Sequence, residues 1–192
     1  MADGDQALAQ RMRRRDPGAF DEFFERFANP LLAYLEGMVR ERAVAEDLLQ
    51  ETLLSVWRHL DRYEERGAFR AWVYRTATNA ALSELRRRRY AATEPIAGVD
   101  HADPRCPDPA ARHATAARVT AVEQAVDRLD DEHRTVLLLR VRNECSLREI
   151  AGILGIPEGT VKSRLHHAVR RVREWTEGRA ERPQRSVTDE LR

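Results

Sequence analysis

The chain has 192 residues, 42% of them hydrophobic and 34% charged, and its formal net charge at pH 7 is +1. This composition excludes an intrinsically disordered chain, and the near-zero charge excludes a basic field over the whole molecule, so nucleic-acid binding would depend on local clusters of charge. No apolar stretch approaches the roughly 20 residues that cross a bilayer, and none resembles a secretory leader, so we expect a cytoplasmic protein without membrane insertion.

The first predicted domain covers residues 16–90 and follows a polar lead-in, residues 1–15, that we expect to be frayed. Asp16 and Pro17 suit the N-cap and first position of a helix, which Asn29-Pro30 would end. Its phenylalanines recur at helical spacing and predict a core face rather than a cofactor site. They are Phe20, Phe23, Phe24 and Phe27. A second helix would follow over 31–39, and a third over 43–59.

Acidic and amide side chains share one face of the third helix, next to Leu54. They are Glu46, Asp47, Gln50 and Glu51. Two interpretations remain open from the residues alone. The face is either an ordinary solvated surface or a docking face for a basic protein partner, with apolar residues supplying affinity and charges setting orientation.

A turn over 61–67 precedes a long helix that begins near Ala68. One polar stripe on this helix ends in the arginine run Arg86 to Arg89, and it consists of Arg75, Asn79, Ser83 and Arg86. Arginine and asparagine beside aromatic rings suit the backbone and exposed bases of a single strand. We assign Trp72 to the core and leave the environment of Tyr74 open.

A linker is predicted over residues 91–118, because half of the chain's 8 prolines fall there and helical periodicity fades. It separates the first domain from a second over 119–175, which precedes a charged tail without pattern, residues 176–192. Asp130 or Asp131 can cap a helix of this second domain.

The second domain ends in a helix-turn-helix pattern. Ser146 and Glu149 have the spacing of a capping box, Gly155 can take the positive φ that ends a helix, and Pro157 suits the start of the next helix. That next helix would bury Val161 and turn donor side chains outward. Such a helix suits phosphates and base edges in the major groove of DNA.

Catalytic and metal chemistry are not indicated. The chain has no glycine-rich phosphate loop, no HExxH motif and no nucleophile elbow, so we expect no enzyme, no catalytic residue and no cofactor. Cys106 and Cys145 lie far apart, which predicts a reducing compartment without a disulfide. The spacing of His101, Cys106 and His113 matches no metal site, so we expect none.

Three sequence blocks together resemble a known family. They are AEDLLQETLLSVWR and RGAFRAWVYRTATNAALSELRR in the first domain, and SLREIAGILGIPEGTVKSRL in the second. In this order and spacing the chain resembles the extracytoplasmic-function RNA polymerase sigma factors of the sigma-70 family. The resemblance implies an all-α fold, with a region 2-like domain and a region 4-like domain joined by a flexible linker.

The resemblance also implies partners: core RNA polymerase, through its β′ clamp and β flap, promoter DNA, and an anti-sigma factor. The implied polymerase-binding residues are Asp47, Gln50, Glu51 and Leu54. The residues implied for the minus-10 element are Arg66, Phe69, Arg75, Asn79 and Arg86. Those implied for the minus-35 element are Thr160, Lys162, Ser163, Arg164, His166, His167 and Arg170. His167 departs from the family, because many relatives carry arginine there.

We therefore expect a promoter-specificity subunit that binds core RNA polymerase, recognises the minus-10 and minus-35 elements and directs transcription initiation. One alternative is a stand-alone helix-turn-helix regulator, which leaves the acidic face of the third helix unexplained. The other is a polymerase-binding adaptor without DNA binding, against which the cationic last helix and the run Arg86 to Arg89 argue.

Overall fold

The computed structural model describes residues 2–63, 69–93 and 113–180. Within these ranges every regular element is helical, and the predicted all-α class is confirmed. The first domain contains α1 (Ala2–Arg13), α2 (Ala19–Val39), α3 (Arg42–His59), a 3-10 turn (Leu60–Arg62) and α4 (Phe69–Thr93). The second contains α5 (His113–Asp127), α6 (Asp131–Val141), α7 (Leu147–Leu154) and α8 (Glu158–Ala180).

The N-terminal segment is a packed helix, so the expectation of a frayed lead-in was wrong. Leu8, Ala9 and Met12 of α1 are buried in the core of the first domain. The Tyr63 hydroxyl donates to Gln6 Oε1 at 2.9 Å and ties α1 to the end of the 3-10 turn. Leu8 and Met12 are an i, i+4 pair, and two apolar residues among polar neighbours give only a weak amphipathic pattern in the sequence. They are nevertheless sufficient to pack α1 onto the other helices of the domain.

Helix α2 begins later than predicted. Its N-cap is Gly18, at a φ of 82°, a left-handed conformation that glycine adopts without steric cost. Asp16, the predicted N-cap, instead accepts a hydrogen bond from Arg11 Nε at 2.7 Å. Pro17 consequently precedes the helix and does not occupy its first position.

Helix α2 also continues through Pro30, where the sequence predicted a boundary. Proline has no N–H, so the helix loses one backbone hydrogen bond there. One face of the helix is buried both before and after the proline, with Phe27 on one side and Leu31 and Leu35 on the other. Burying a leucine contributes about 1.5–3 kcal/mol, which is enough for two such residues to offset the break. The boundary prediction was therefore wrong, because tertiary packing overrode the local signal.

Aromatic rings form the centre of the first domain. Phe23 and Phe27 have ring centroids 5.1 Å apart, and Phe69 lies 5.9 Å from each. The predicted core role of the phenylalanine stripe is confirmed for its buried members, but Phe24 is 48% exposed. Tyr74, whose environment the sequence left open, is fully buried.

The helix-turn-helix pattern is present as the sequence predicted it. Ser146 caps α7 in a capping box with Glu149, and Gly155 ends the helix at a φ of 67°. Asp130 is the residue that caps α6, because its carboxylate accepts from the backbone N–H of His133 at 3.0 Å. Local side-chain chemistry therefore sets the start of both helices.

Helical structure extends beyond the predicted boundaries on both sides of the linker. Helix α4 ends at Thr93 and α5 begins at His113, so helices occupy both ends of the predicted linker. Helix α8 continues to Ala180, so the first residues of the predicted tail are helical and not patternless. Residues 94–112 and 181–192 lie outside the described residues.

The two domains pack against each other, with α2 meeting α6 and α4 meeting α7. A Cβ on Gly37 would come within 3.0 Å of Leu138 Cδ1, so the approach of α2 to α6 depends on a glycine. Arg134, which is 4% exposed, donates from Nη1 to the carbonyl oxygen of Met38 at 3.0 Å. One apolar core thus runs through both domains.

Polar contacts also cross this interface, one of them buried and one half-buried. The Tyr74 hydroxyl donates to Asn143 Oδ1 at 2.8 Å, and Arg70 donates to the Asn143 backbone carbonyl at 2.7 Å. Asn143 is 3% exposed and Tyr74 is fully buried. A buried polar group without a partner is costly, so these bonds fix how the two domains align.

Candidate nucleic-acid and protein interfaces

Helix α8 presents one apolar face to the second domain and one polar face to solvent. Val161 and Ala168 are fully buried and anchor the helix on α6 and α7. The backbone N–H of Thr160 donates to the Pro157 carbonyl at 2.9 Å, which closes the first turn. The predicted minus-35 residues Lys162, Ser163, His166, His167 and Arg170 are all exposed, and Thr160 is half-buried.

Arg164 differs from the other predicted minus-35 residues. Its side chain is 25% exposed and forms an ion pair with Glu132 of α6 at 2.6 Å. Asp130 likewise lies 3.6 Å from Arg171. The acidic residues at the start of α6 therefore neutralise part of the positive charge of α8, at Arg164 and Arg171. The exposed donor side chains of α8 lie beside these two arginines.

Imidazole rings cluster on the polar face of α8. The His167 ring lies 6.0 Å from His166 and 6.2 Å from His133 of α6, edge-on in both cases. His133 Nδ1 donates to Asp130 Oδ1 at 2.6 Å. Burial raises the pKa of Asp130, but hydrogen bonds from the backbone and ring of His133 outweigh this and hold the pKa below its usual range. Sequence reasoning missed His133; its only signal was its position three residues after an N-cap aspartate.

Helix α4 carries four of the five predicted minus-10 residues, and they differ in exposure. Arg75, Asn79 and Arg86 are exposed on the predicted stripe. Arg66 lies outside the described residues. Phe69 is 2% exposed at the centre of the aromatic cluster, so its ring packs in the core in this arrangement and its contact with DNA stays a prediction.

Arg75 is engaged by the second domain. Its guanidinium donates to the backbone carbonyl of Gly152 in α7. Arg89, at the other end of the stripe, pairs with Asp131 of α6 at 2.6 Å. One predicted minus-10 cation, Arg75, and one arginine of the adjoining run, Arg89, are therefore occupied by contacts between the domains.

The arginine run at the end of α4 is partly neutralised from within the helix. Glu84 accepts from Arg87 at 2.8 Å and from Arg88 at 2.8 Å. Hydrogen bonds from Arg87 first, and then from Arg88, hold the pKa of Glu84 below its usual range. Fewer of the run's charges are therefore free for phosphates than the sequence suggested.

The predicted polymerase-binding residues lie together on the outer face of α3. Asp47, Gln50 and Glu51 are exposed, and Leu54 beside them is 47% exposed. An exposed leucine flanked by carboxylates is the pattern of a small apolar anchor with a charged rim. A groove of about 630 Å³ runs alongside, between α3 and α4, and Glu51 and Asn79 both line it.

Metal binding and membrane insertion find no support in the described part of the chain. There, no group of three or more histidine, cysteine, aspartate or glutamate side chains could hold a metal ion. No helix among the described residues has the length and apolar character to span a bilayer. His101 and Cys106, considered above as ligands, lie outside the described ranges.

Two family models match the chain. The model described as Sigma-70 region 2 matches residues 23–90, and the model described as Sigma-70, region 4 matches residues 120–172. These matches fall on the first and second helical domains, respectively.

Curated relatives match about four fifths of the chain or more. The RNA polymerase sigma factor CarQ of Myxococcus xanthus is 35% identical over 169 residues, which are 86% of this chain and 93% of that protein. The ECF RNA polymerase sigma factor SigL of Mycobacterium tuberculosis is 34% identical over 78% of this chain and 84% of its own length. SigW of Bacillus subtilis is 28% identical over 82% of this chain and 88% of its own length.

Solved structures share the fold. CnrH, in complex with the cytosolic domain of CnrY, aligns with a TM-score of 0.69 at 23% identity over 91% of this chain and 97% of that one. The sigma factor RpoE of Bartonella quintana, in complex with the anti-sigma factor NepR, aligns with a TM-score of 0.66 at 23% identity over 83% of this chain and 98% of that one.

Proposed function

Because this chain belongs to the extracytoplasmic-function sigma factors of the sigma-70 family, and is therefore a promoter-specificity subunit of RNA polymerase, we propose that three described surfaces carry its contacts. They are the polar face of α8, the outer face of α3 and the polar stripe of α4. The observation that supports this most directly is the exposure of Lys162, Ser163, His166, His167 and Arg170 on one face of α8.

The polar face of α8 contacts the minus-35 duplex. An α-helix fits the major groove, and the exposed amine, hydroxyl and imidazole groups of α8 can reach base edges there. Arg170 is exposed and contacts phosphate or positions a neighbouring side chain. Arg164, held by Glu132, contributes charge near the backbone of the duplex.

The outer face of α3 binds the β′ clamp of core polymerase, and the second domain binds the β flap. Leu54 supplies the apolar anchor, and Asp47 and Glu51 attract a basic partner and set its orientation. These roles follow the resemblance of this helix to the corresponding helix of the family.

The stripe on α4 contacts the opened minus-10 strand through Arg75, Asn79 and Arg86. Arg75 is available only after it leaves the Gly152 carbonyl, so strand binding and packing of the domains compete for the same side chain. Phe69 belongs to the core in the packed arrangement, so its contact with the strand stays a prediction.

The chain acts with polymerase in the cytoplasm and has no catalytic residue of its own, as sigma factors are initiation factors and not catalysts. An anti-sigma factor is a further partner, since RpoE of Bartonella quintana is seen in complex with NepR. Such a partner would cover the faces of α3 and α8 described above.

Transcription from fragmented DNA of the source genome tests the proposal. Core polymerase is supplied with the wild-type chain, or with a variant carrying Lys162→Ala and His166→Ala on the polar face of α8. New start sites that share a two-part upstream motif, present with the wild-type chain and lost with the variant, are the expected result. Start sites that appear equally with the variant would refute the assignment of α8, and no new starts with either chain would refute the proposal for the three surfaces together.

A further inference from the structure

We infer that His167 donates its Nε2–H, as a single hydrogen-bond donor, to N7 of a guanine of the minus-35 element, and that Arg170 and His133 position it for this contact. The inference rests on the proposed function, in which the polar face of α8 enters the major groove. It adds the chemistry of one base contact and names His133, which lies outside the helix-turn-helix.

Arg170 determines which nitrogen of His167 carries the proton. Arg170 Nη2 lies 3.3 Å from His167 Nδ1. A guanidinium is always protonated and can only donate, so Nδ1 must accept with its lone pair. A ring that accepts at Nδ1 carries its N–H on Nε2, the nitrogen farther from the helix backbone. Arg170 is itself oriented by Glu174, whose carboxylate lies 3.6 Å from its Nε.

His133 and His166 set the plane of the His167 ring. His133 meets it edge-on at 80° and His166 at 82°. His133 cannot turn freely, because Asp130 Oδ1 accepts from both its backbone N–H, at 3.0 Å, and its ring Nδ1–H, at 2.6 Å. The aspartate that caps α6 thereby fixes a ring that braces the recognition helix.

A lone N–H in this position has a preferred base. Guanine presents two neighbouring acceptors, N7 and O6, in the major groove, so a single donor meets no opposing donor. Adenine places its N6 amino group beside N7, thymine places a methyl group beside O4, and cytosine presents only a donor. The expected order of preference at this position is guanine, then adenine or thymine, then cytosine.

The experiment measures binding of the holoenzyme to a promoter found by the transcription assay above. Each guanine of its minus-35 element is replaced in turn by 7-deazaguanine, in which a C–H group replaces N7. At one guanine we expect the wild-type holoenzyme to lose roughly five- to tenfold in affinity, which is the range for one hydrogen bond. With His167→Ala, affinity falls and the same replacement has no further effect.

Three variants test the donor and its positioning. His167→Gln keeps a donor near the place of Nε2 and should shift the preference toward adenine, which a glutamine amide can bind through N6 and N7. Arg170→Met should reduce the penalty of 7-deazaguanine, whereas an arginine that bound only phosphate would weaken both duplexes equally and leave their ratio unchanged. His133→Ala should reduce the same ratio. Glu25→Gln, on the exposed surface of α2, is the control and should change nothing.

The outcomes separate the two proposals. If a two-part promoter is found but every 7-deazaguanine penalty survives His167→Ala, the inference is wrong and the role of α8 stands. A ratio that stays unchanged in both Arg170→Met and His133→Ala would refute the positioning roles. If the holoenzyme gives no new starts, the proposed function fails and this inference fails with it.

Discussion

The packing of the two domains can be tested through one buried hydrogen bond. Tyr74 of α4 donates to Asn143 Oδ1 of the second domain at 2.8 Å, and both residues are at most 3% exposed. Tyr74→Phe, Asn143→Ala and the double variant form a double-mutant cycle. The cycle isolates the interaction between the two side chains from the other effects of each substitution.

The expected coupling energy follows from the geometry. A buried neutral hydrogen bond contributes a net 0.5–1.5 kcal/mol or so, and leaving one buried partner unpaired costs about 1–3 kcal/mol. Tyr74→Phe leaves Asn143 Oδ1 unpaired in a buried place, so we expect a coupling of about 1–2 kcal/mol. Urea denaturation followed by circular dichroism supplies the free energies of unfolding.

A second cycle within the first domain is the matched control. The Tyr34 hydroxyl and Thr78 Oγ1 are also 2.8 Å apart and also buried, but they lie on α2 and α4 of one domain. Tyr34→Phe with Thr78→Ala should therefore give a similar coupling. Additivity within about 0.3 kcal/mol for Tyr74 and Asn143, together with coupling in the control pair, would show that the domains do not pack in solution.

Three shorter predictions test other features. Asp47→Arg should abolish binding to core polymerase in a pull-down without changing the circular dichroism spectrum. Glu25→Arg, on the exposed surface of α2, should bind normally. Equal binding by the two variants would show that α3 is not part of the interface. Ser146→Ala breaks the capping box of α7 and should lower the free energy of unfolding, measured in urea, by about 1 kcal/mol. Thr120→Ala, at an exposed position of α5, should leave it unchanged. Equal values for the two variants would mean that the cap does not stabilise the protein. Burial raises the pKa of Tyr74 from 10.0 to about 12. The stabilisation that depends on its neutral hydroxyl should therefore be complete below pH 10 and be lost as the pH rises toward 12. Tyr74→Phe should flatten this part of the plot of unfolding free energy against pH, and an unchanged slope would contradict the burial.

The parts of the fold that the sequence predicted are those set by neighbouring residues. Ser146, Glu149 and Gly155 act within one turn of the helix end that they define, so their spacing alone located α7. Pro30 is the opposite case. Its local preference is to end a helix, but the buried residues on either side keep α2 continuous, and that burial depends on helices far along the chain.

The site shows the same division. The face of α8 was predictable, because helical periodicity separates buried Val161 from exposed Lys162. The link of Arg75 to Gly152 and the contact of His133 with His167 join segments that only the tertiary fold brings together. The burial of Phe69 could not be predicted for a related reason, since an aromatic residue near a helix start suits a base or a core equally well until its neighbours are known.

The contacts proposed for α4 and α8 exclude the packed arrangement of the domains as the promoter-bound one. A compact chain of this length has a radius of gyration of about 16 Å, and so a diameter of roughly 40 Å. Elements near positions minus-35 and minus-10 are roughly 25 base pairs apart, or about 85 Å along B-form DNA at about 3.4 Å per step. Under the proposed assignment of α8 to the minus-35 element and α4 to the minus-10 element, one compact body cannot contact both, so promoter binding would separate α7 from α4. The same separation frees Arg75 from Gly152, and the energy needed to break the contacts of Arg134, Tyr74 and Asn143 must then come from polymerase and DNA together.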